Sequence, residues 1–418
     1  MPGARPPAFV YRDHRLCCER AALEKIAERF GTPCYVYSAS TVRERFLALG
    51  RAFSGVPHTI CYAVKANSNL SLLRLLAGLG AGFDVVSGGE LERVLRASRR
   101  AARRVVFSGV GKTSAEMDAA LAAGILLFNV ETEGELELLA DRASRARKKA
   151  RLAVRVNPDV PAETHPYIST GRREHKFGVP IRSAQDLYRR AARARWLEVA
   201  GVSVHIGSQI LRPGPFHAAV TRVAALVREL RAEGHSIRYV DAGGGLGIPY
   251  HRERVASFRA YASAIIRPLR GLGVHLLLEP GRAIVGPAGA LLARVLYVKQ
   301  NGRKRFLIVD AAMNDLLRPA LYGAYHEIVP VVKARRPQKA CDVVGPVCET
   351  GDFLALDRRL PELSPGDLVA ILDAGAYGMA QASNYNTRPR PAEVLVHDTS
   401  ARIIRQREKA ADLMRLER

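Results

Sequence analysis

The stretch Thr59-Ile60-Cys61-Tyr62-Ala63-Val64-Lys65-Ala66-Asn67 decides how the rest of this chain is read. From Thr59 to Val64 it is a short apolar run with the composition of a buried strand, and it stops on one lysine. A lysine that ends a buried strand directs its amine into whatever site the fold builds at that edge. In a barrel of parallel strands, that edge is the face where chemistry is done. A single lysine so placed more often just reaches solvent. The reading therefore depends on what the other strands end on.

Seven further runs of the same kind follow: Gly82–Val86, Val105–Ser108, Ile125–Val130, Leu152–Val156, Val202–Ile206, Ile237–Asp241 and Val274–Leu278. Helical stretches separate them, among them Ser71–Leu79, Glu133–Ala146 and Phe216–Glu233. Eight strand-then-helix units predict an α/β fold, a (β/α)8 TIM-type barrel, with an open doubly wound sheet as the alternative. After residue 285 the helices drop out, and runs such as Leu291–Val298, Phe306–Val309, Cys341–Val344 and Leu368–Leu372 read as a second, mostly antiparallel β domain. We expect the barrel over residues 38–284 and the second domain over 1–37 with 285–418. The connection from Asn157 to Pro180 is long for a βα loop, as functional lids are.

Composition narrows the class. A chain of 418 residues with 48% hydrophobic and 25% charged content fits a soluble globular protein. No apolar run reaches the roughly 20 residues of a membrane span, and no signal sequence is evident, so the expected location is the cytoplasm. The six cysteines have neither CxxC nor zinc spacing; free thiols and no metal are expected. The net charge of +24 raises the option of a polyanion binder. The arginines, however, alternate with alanines and carry no aromatic interleaving, as on solvated helix faces, so no nucleic-acid partner is expected.

Reactive side chains gather where the predicted strands stop. The first ends on Lys65, the second at Asp84 with Ser87 and Glu90 beyond, and the sixth at His205. The seventh runs into Asp241-Ala242-Gly243-Gly244-Gly245 and the eighth into Glu279-Pro280-Gly281-Arg282. A tight turn explains a lone glycine triplet, and a structural role explains a lone histidine. Beside Gly281 and Arg282, the triplet matches the place where such barrels bind phosphate. An amine and a phosphate cradle in one barrel mouth suggest pyridoxal phosphate, whose aldehyde condenses with lysine. Glu279 would then face the pyridine nitrogen, and His205 the ring.

These motifs resemble those of the fold-type III pyridoxal-phosphate decarboxylases, and among them the diaminopimelate decarboxylases. The resemblance runs from Gly31-Thr32-Pro33 to Arg388-Pro389-Arg390-Pro391. It includes Tyr62–Asn67, His205-Ile206-Gly207-Ser208, Arg318-Pro319-Ala320-Leu321-Tyr322, Gly345-Pro346-Val347-Cys348-Glu349 and Asp373-Ala374-Gly375-Ala376-Tyr377. It implies that Lys65 carries the cofactor and that Ser208, Gly243–Gly245, Gly281, Arg282 and Tyr377 surround its phosphate. It also implies that Cys348, alone no more than a small core residue, is the proton donor, and that the chain works as a homodimer with shared sites. Lys176-Phe177-Gly178 matches the family's loop as well.

Diaminopimelate carries an amino-acid group at each end, so the distal end needs a cation and an anion. Arg318 is the candidate cation, with Arg282 helping; Glu349 is the candidate anion, and Tyr322 and Tyr377 are further candidates for the substrate. Taken singly, Arg318 and Glu349 would pass for surface residues. The implied reaction is decarboxylation of meso-2,6-diaminopimelate to L-lysine and CO2. The alternatives are a decarboxylase of ornithine, lysine or a carboxylated polyamine, and a regulatory protein that holds the cofactor without turnover.

Overall fold

The computed structural model describes residues 8–161, 176–333 and 335–417. The chain divides into two compact units: one of residues 45–248 with 254–283, the other of residues 1–44, 249–253 and 284–418.

The first unit is a closed barrel. Its strands are His58–Ala63, Gly82–Val85, Val105–Phe107, Leu127–Val130, Ala150–Asn157, Leu197–Val204, Tyr239–Asp241 and His275–Leu278. Each pairs in parallel with the next, and the eighth pairs with the first through Leu276 and His58, so no edge remains. The expected (β/α)8 architecture is therefore what the chain forms. The helices between start at sites the sequence specifies. Thr113 and Glu116 form a reciprocal capping box ahead of Ser114–Ala123, and Gly124, in the left-handed region, ends that helix. Thr132 and Ser257 cap Glu133–Ala146 and Phe258–Leu269. Each such cap contributes about 1 kcal/mol. The arginine-rich faces carry ion pairs, for example Arg96 with Glu92 and Arg145 with Asp141.

The barrel interior changes character from one layer to the next. Cys61, Val106, Leu127, Ala153, Ala200 and Leu277 form an apolar plug. Side chains two residues apart on a strand share a face. One step above the plug, Ser108, Asn129, Arg155 and Glu279 therefore follow Val106, Leu127, Ala153 and Leu277. Strand register puts Asp84 beside Ala63 and Ser203 beside Asp241. All these polar side chains are buried.

The second unit is built on a central strand, Gly289–Asn301, flanked by Cys34–Ser38, Lys304–Val309 and Leu368–Ile371. Further strands extend it at Gln338–Val344, Phe353–Pro361, Ala392–His397 and Ser400–Arg405. Two pairings are parallel, Cys34–Ser38 with Ala392–His397 and Lys304–Val309 with Gln338–Val344; the others are antiparallel. Its core includes Leu16, Leu23, Ile26, Val36, Leu292, Ala370 and Val394. The expected lid lies mostly at 162–175, outside the described residues.

Asp315 in this unit is 1% exposed and accepts hydrogen bonds from the Ala312 amide (2.9 Å) and Asn314 (3.1 Å). Burial pushes its carboxyl up to about 7, against the pull of the Ala312 amide and Arg388. An unfolded aspartate ionises near about 4, so the folded state keeps a proton that the unfolded chain has already lost. Its contribution to stability is therefore complete below about pH 4 and is lost as pH rises toward 7. Denaturant titrations should show a smaller loss of stability from pH 4 to 7 in Asp315→Asn than in the parent chain; parallel pH profiles would refute this.

Candidate active site

The polar layer of the barrel carries the candidate site, and hydrogen bonds across the interior hold it together. Asn129 on the fourth strand donates through Nδ2 to Asp241 Oδ2 on the seventh at 2.6 Å. Ser108, just past the third strand, donates to Glu279 Oε1, just past the eighth, at 3.1 Å. Asp241 also accepts from Ser203 Oγ (3.1 Å) and from the Gly243 amide (3.0 Å). Burial raises the Asp241 carboxyl above the usual carboxylate range, and the bonds to Glu279, Asn129 and the Gly243 amide pull it part of the way back. Glu279 has weaker support. Burial first, then the charges of Asp241 and Asp84, raise it well above the usual carboxylate range, with Lys65 opposing. Glu279 therefore holds the proton in the bond that joins it to Asp241.

Lys65 follows the first strand on a single 3-10 turn, Val64–Ala66, and its Nζ lies 2.8 Å from Asp84 Oδ2. The aspartate side chain is fully buried and the lysine side chain 35% exposed. Asp84 Oδ1 is buried and has no hydrogen-bond partner among the described residues. The Lys65 turn sits beside Glu279 because Gly281 lets the ends of the eighth and first strands touch. A Cβ on Gly281 would lie 2.7 Å from that of Ala66, and the Ala63 amide donates to Pro280 O at 3.1 Å.

The glycine triplet packs the strand ends as well as opening a cradle. A Cβ on Gly244 would lie 2.0 Å from Glu279 O, and one on Gly245 2.1 Å from Gly207 O. Gly243 and Gly245 have positive φ, which glycine adopts without strain. The Gly243 amide is used by Asp241, and the Gly244 amide donates to His205 Nδ1 at 3.1 Å. His205 is thus neutral with its other nitrogen protonated, and burial, then the charges of Arg155 and Lys65, hold its pKa well below the ordinary value. Arg282 Nη2 donates to Ser208 Oγ at 3.0 Å, which places a cation and a hydroxyl together.

These groups fit pyridoxal phosphate on three counts: an amine at a barrel mouth, a buried proton-holding carboxylate that a ring nitrogen could engage, and an Arg–Ser pair for a phosphate. A second buried lysine, Lys112, does not compete. Its ammonium is saturated by Gly109 O and Asn129 O (2.7 Å each) and Glu135 Oε1 (2.6 Å). Glu131, paired with Arg155 Nη1 at 2.9 Å, accepts the amides of Gly109 and Gly178 and so ties the loops around the layer. Ser87 and Glu90 serve the start of helix Gly88–Ala97: Ser87 accepts from the Glu90 amide and Glu90 from the Val86 amide.

The structure thus brings Lys65, Asp84, His205, Ser208, Gly243–Gly245, Glu279, Gly281 and Arg282 to one end of the barrel. The remaining expected residues lie in the second unit. Arg318 is 5% exposed, at the start of the short helix Arg318–Tyr322; Tyr322 Oη accepts from Gln381 at 3.3 Å. Cys348 and Glu349 are exposed, and the Cys348 amide donates to Asn386 at 2.7 Å. Tyr377 has a φ of +57°, in the left-handed region. Sequence reasoning missed Ser108, Asn129, Arg155 and Ser203. Their signal was position: Asn129, Arg155 and Ser203 lie near the ends of their strands, and Ser108 just past the end of its own.

Known proteins resemble this chain over nearly its whole length. Residues 39–286 match the family model of the pyridoxal-dependent decarboxylase, pyridoxal binding domain. A diaminopimelate decarboxylase from Pseudomonas aeruginosa is 52% identical over 97% of this chain and 97% of its own. The crystal structure of diaminopimelate decarboxylase from Helicobacter pylori, complexed with L-lysine, is 45% identical, covers 94% of this chain and 99% of its own, and superposes with a TM-score of 0.92. The enzyme of that name from M. jannaschii, also with L-lysine, is 37% identical over 98% of both chains, with a TM-score of 0.94. On fold, site chemistry and near-complete likeness alike, the chain belongs to the diaminopimelate decarboxylases, a family of pyridoxal-dependent decarboxylases.

Proposed function

We propose that this chain converts meso-2,6-diaminopimelate to L-lysine and CO2, the last step of lysine biosynthesis, with its residues in the following roles. The observation that carries the reading is the adjacency, at one barrel mouth, of the Lys65–Asp84 pair and the proton-sharing carboxyls of Glu279 and Asp241. Bound pyridoxal phosphate supplies an aldehyde that condenses with amines and a ring that withdraws the electron pair left when CO2 departs. Lys65 is the amine that holds it, and Asp84 keeps that amine in place. Glu279 holds a proton at the ring nitrogen; Asp241, fixed by Asn129 and Ser203, supports its proton affinity. Arg282, Ser208, Gly281, Tyr377 and the glycine triplet would hold the phosphate, and His205 would face the ring.

Cys348 returns a proton to the substrate's α-carbon, as a thiol can. Arg318 binds the distal carboxylate, assisted by Arg282, Tyr322 and Tyr377, and Glu349 the distal ammonium. The L-lysine complexes of the relatives support this, since lysine keeps the distal amino-acid group intact. Cys348 and Glu349 stand exposed, which fits residues delivered to the site of a second copy in a homodimer. All six cysteines are free, and no described helix is long and apolar enough to cross a membrane; both fit a cytoplasmic enzyme.

Lys65→Ala should abolish both CO2 release and the visible absorbance of bound cofactor; turnover in that variant would end the assignment. Gly244→Ala places a methyl against Glu279 O and should weaken cofactor affinity by at least about 100-fold, read by equilibrium titration of the apo-protein. Arg318→Ala should raise KM for diaminopimelate by about 100-fold. A KM that does not move would favour a substrate without a distal carboxylate, such as ornithine.

A further inference from the structure

Arg318 is one member of a buried triad whose hydrogen-bond roles are forced. Its Nε donates to Nε2 of His326 at 3.2 Å. On the other side of the ring, Nδ1 of His326 lies 2.8 Å from the carbonyl oxygen of Leu372. A guanidinium only donates and a carbonyl only accepts. His326 must therefore be neutral, with its proton on Nδ1 and its lone pair on Nε2 facing Arg318. Tyr250 completes the setting: its ring meets His326 edge-on at 5.1 Å, and the Arg318 guanidinium carbon lies 4.8 Å from its centroid. His326 is fully buried and Tyr250 is 7% exposed.

The fold builds this triad locally. Helix Arg318–Tyr322 ends on Gly323, whose φ of +59° reverses the chain, so His326 returns beneath Arg318. Strand Ile328–Pro330 then pairs antiparallel with Leu368–Ile371, and the Leu372 amide donates to Glu327 O at 2.8 Å. That register sets the Leu372 carbonyl beside His326. A guanidinium is planar, so a tether at Nε and a ring against its face together fix the direction of its terminal N–H groups.

We infer that His326 is a positioning residue that aims Arg318 at the distal carboxylate of the substrate and thereby sets affinity for the distal amino-acid group. This rests on the reading of Arg318 as the distal-carboxylate ligand. L-Lysine retains that group, so His326 governs KM for diaminopimelate and the inhibition constant of L-lysine together. It does not govern kcat or cofactor affinity.

Two amide variants of the cofactor-loaded enzyme separate the two hydrogen bonds. Asparagine at this position reaches the Leu372 carbonyl as Nδ1 does but falls short of Arg318; glutamine reaches Arg318 as Nε2 does. His326→Asn should raise KM and the lysine inhibition constant in parallel by about tenfold or more, the worth of a hydrogen bond to a charged group. His326→Gln should stay within about threefold of the parent on both constants. Equal constants in the two variants, or a loss confined to kcat, would overturn the proposal. If His326→Asn does not fold, His326→Gln decides alone: a tenfold loss in a folded, cofactor-loaded glutamine variant refutes the role and parent-like constants support it. Arg318→Ala is the control for the underlying reading. If it leaves both constants unmoved, the distal-carboxylate assignment fails; if it moves them and His326→Asn does not, only the role of His326 fails.

Discussion

Three carboxyl groups, Asp84, Asp241 and Glu279, are packed into one desolvated layer at the top of the barrel plug. Like charges without water cannot all ionise, and their burial is costly unless cations or protons compensate. The chain supplies one amine, Lys65, against Asp84, and a proton shared by Asp241 and Glu279. The rest of the site follows from this arrangement. Cross-barrel donors from Asn129, Ser108 and Ser203 hold the carboxyls, and glycines at 244 and 281 let the strand ends approach closely enough to share the charge. Such a layer, costly to maintain, is pre-set for a ligand whose ring nitrogen can share the proton that Glu279 holds.

The same logic separates two buried lysines. Lys112 is satisfied by two carbonyls and Glu135, all within 2.7 Å, and so acts as a fastener between loops. Lys65 is partly open on the barrel face and pairs with an aspartate that has a second oxygen buried without a partner among the described residues. Burial alone therefore does not mark the reactive lysine. The difference is in what its acceptors leave undone.

The eight barrel strands were legible because each is a short apolar run bounded by helix caps, and their ends announced Lys65, Asp84, His205, Asp241 and Glu279. Ser108, Asn129, Arg155 and Ser203 were not noticed because each sits in or beside an apolar run, where only the two-residue inward period picks it out. In the second unit, Phe353–Pro361 escaped as a strand because Asp357, Arg358 and Arg359 interrupt its apolar character. Cys34–Ser38 gave no sign that it pairs with strands more than 250 residues away in sequence, at Gly289–Leu292 and Ala392–Val396. His326 carried no motif at all. Its role depends on a glycine turn and a strand register that appear only once the chain is folded.

The central claim is that the amine at the end of the first strand, and no other, carries the cofactor. Borohydride reduction of the pyridoxal-phosphate-loaded protein, followed by peptide mapping, tests it directly. One modified peptide is expected, with the cofactor fixed to Lys65. Modification at Lys112, or spread over surface lysines, would contradict it.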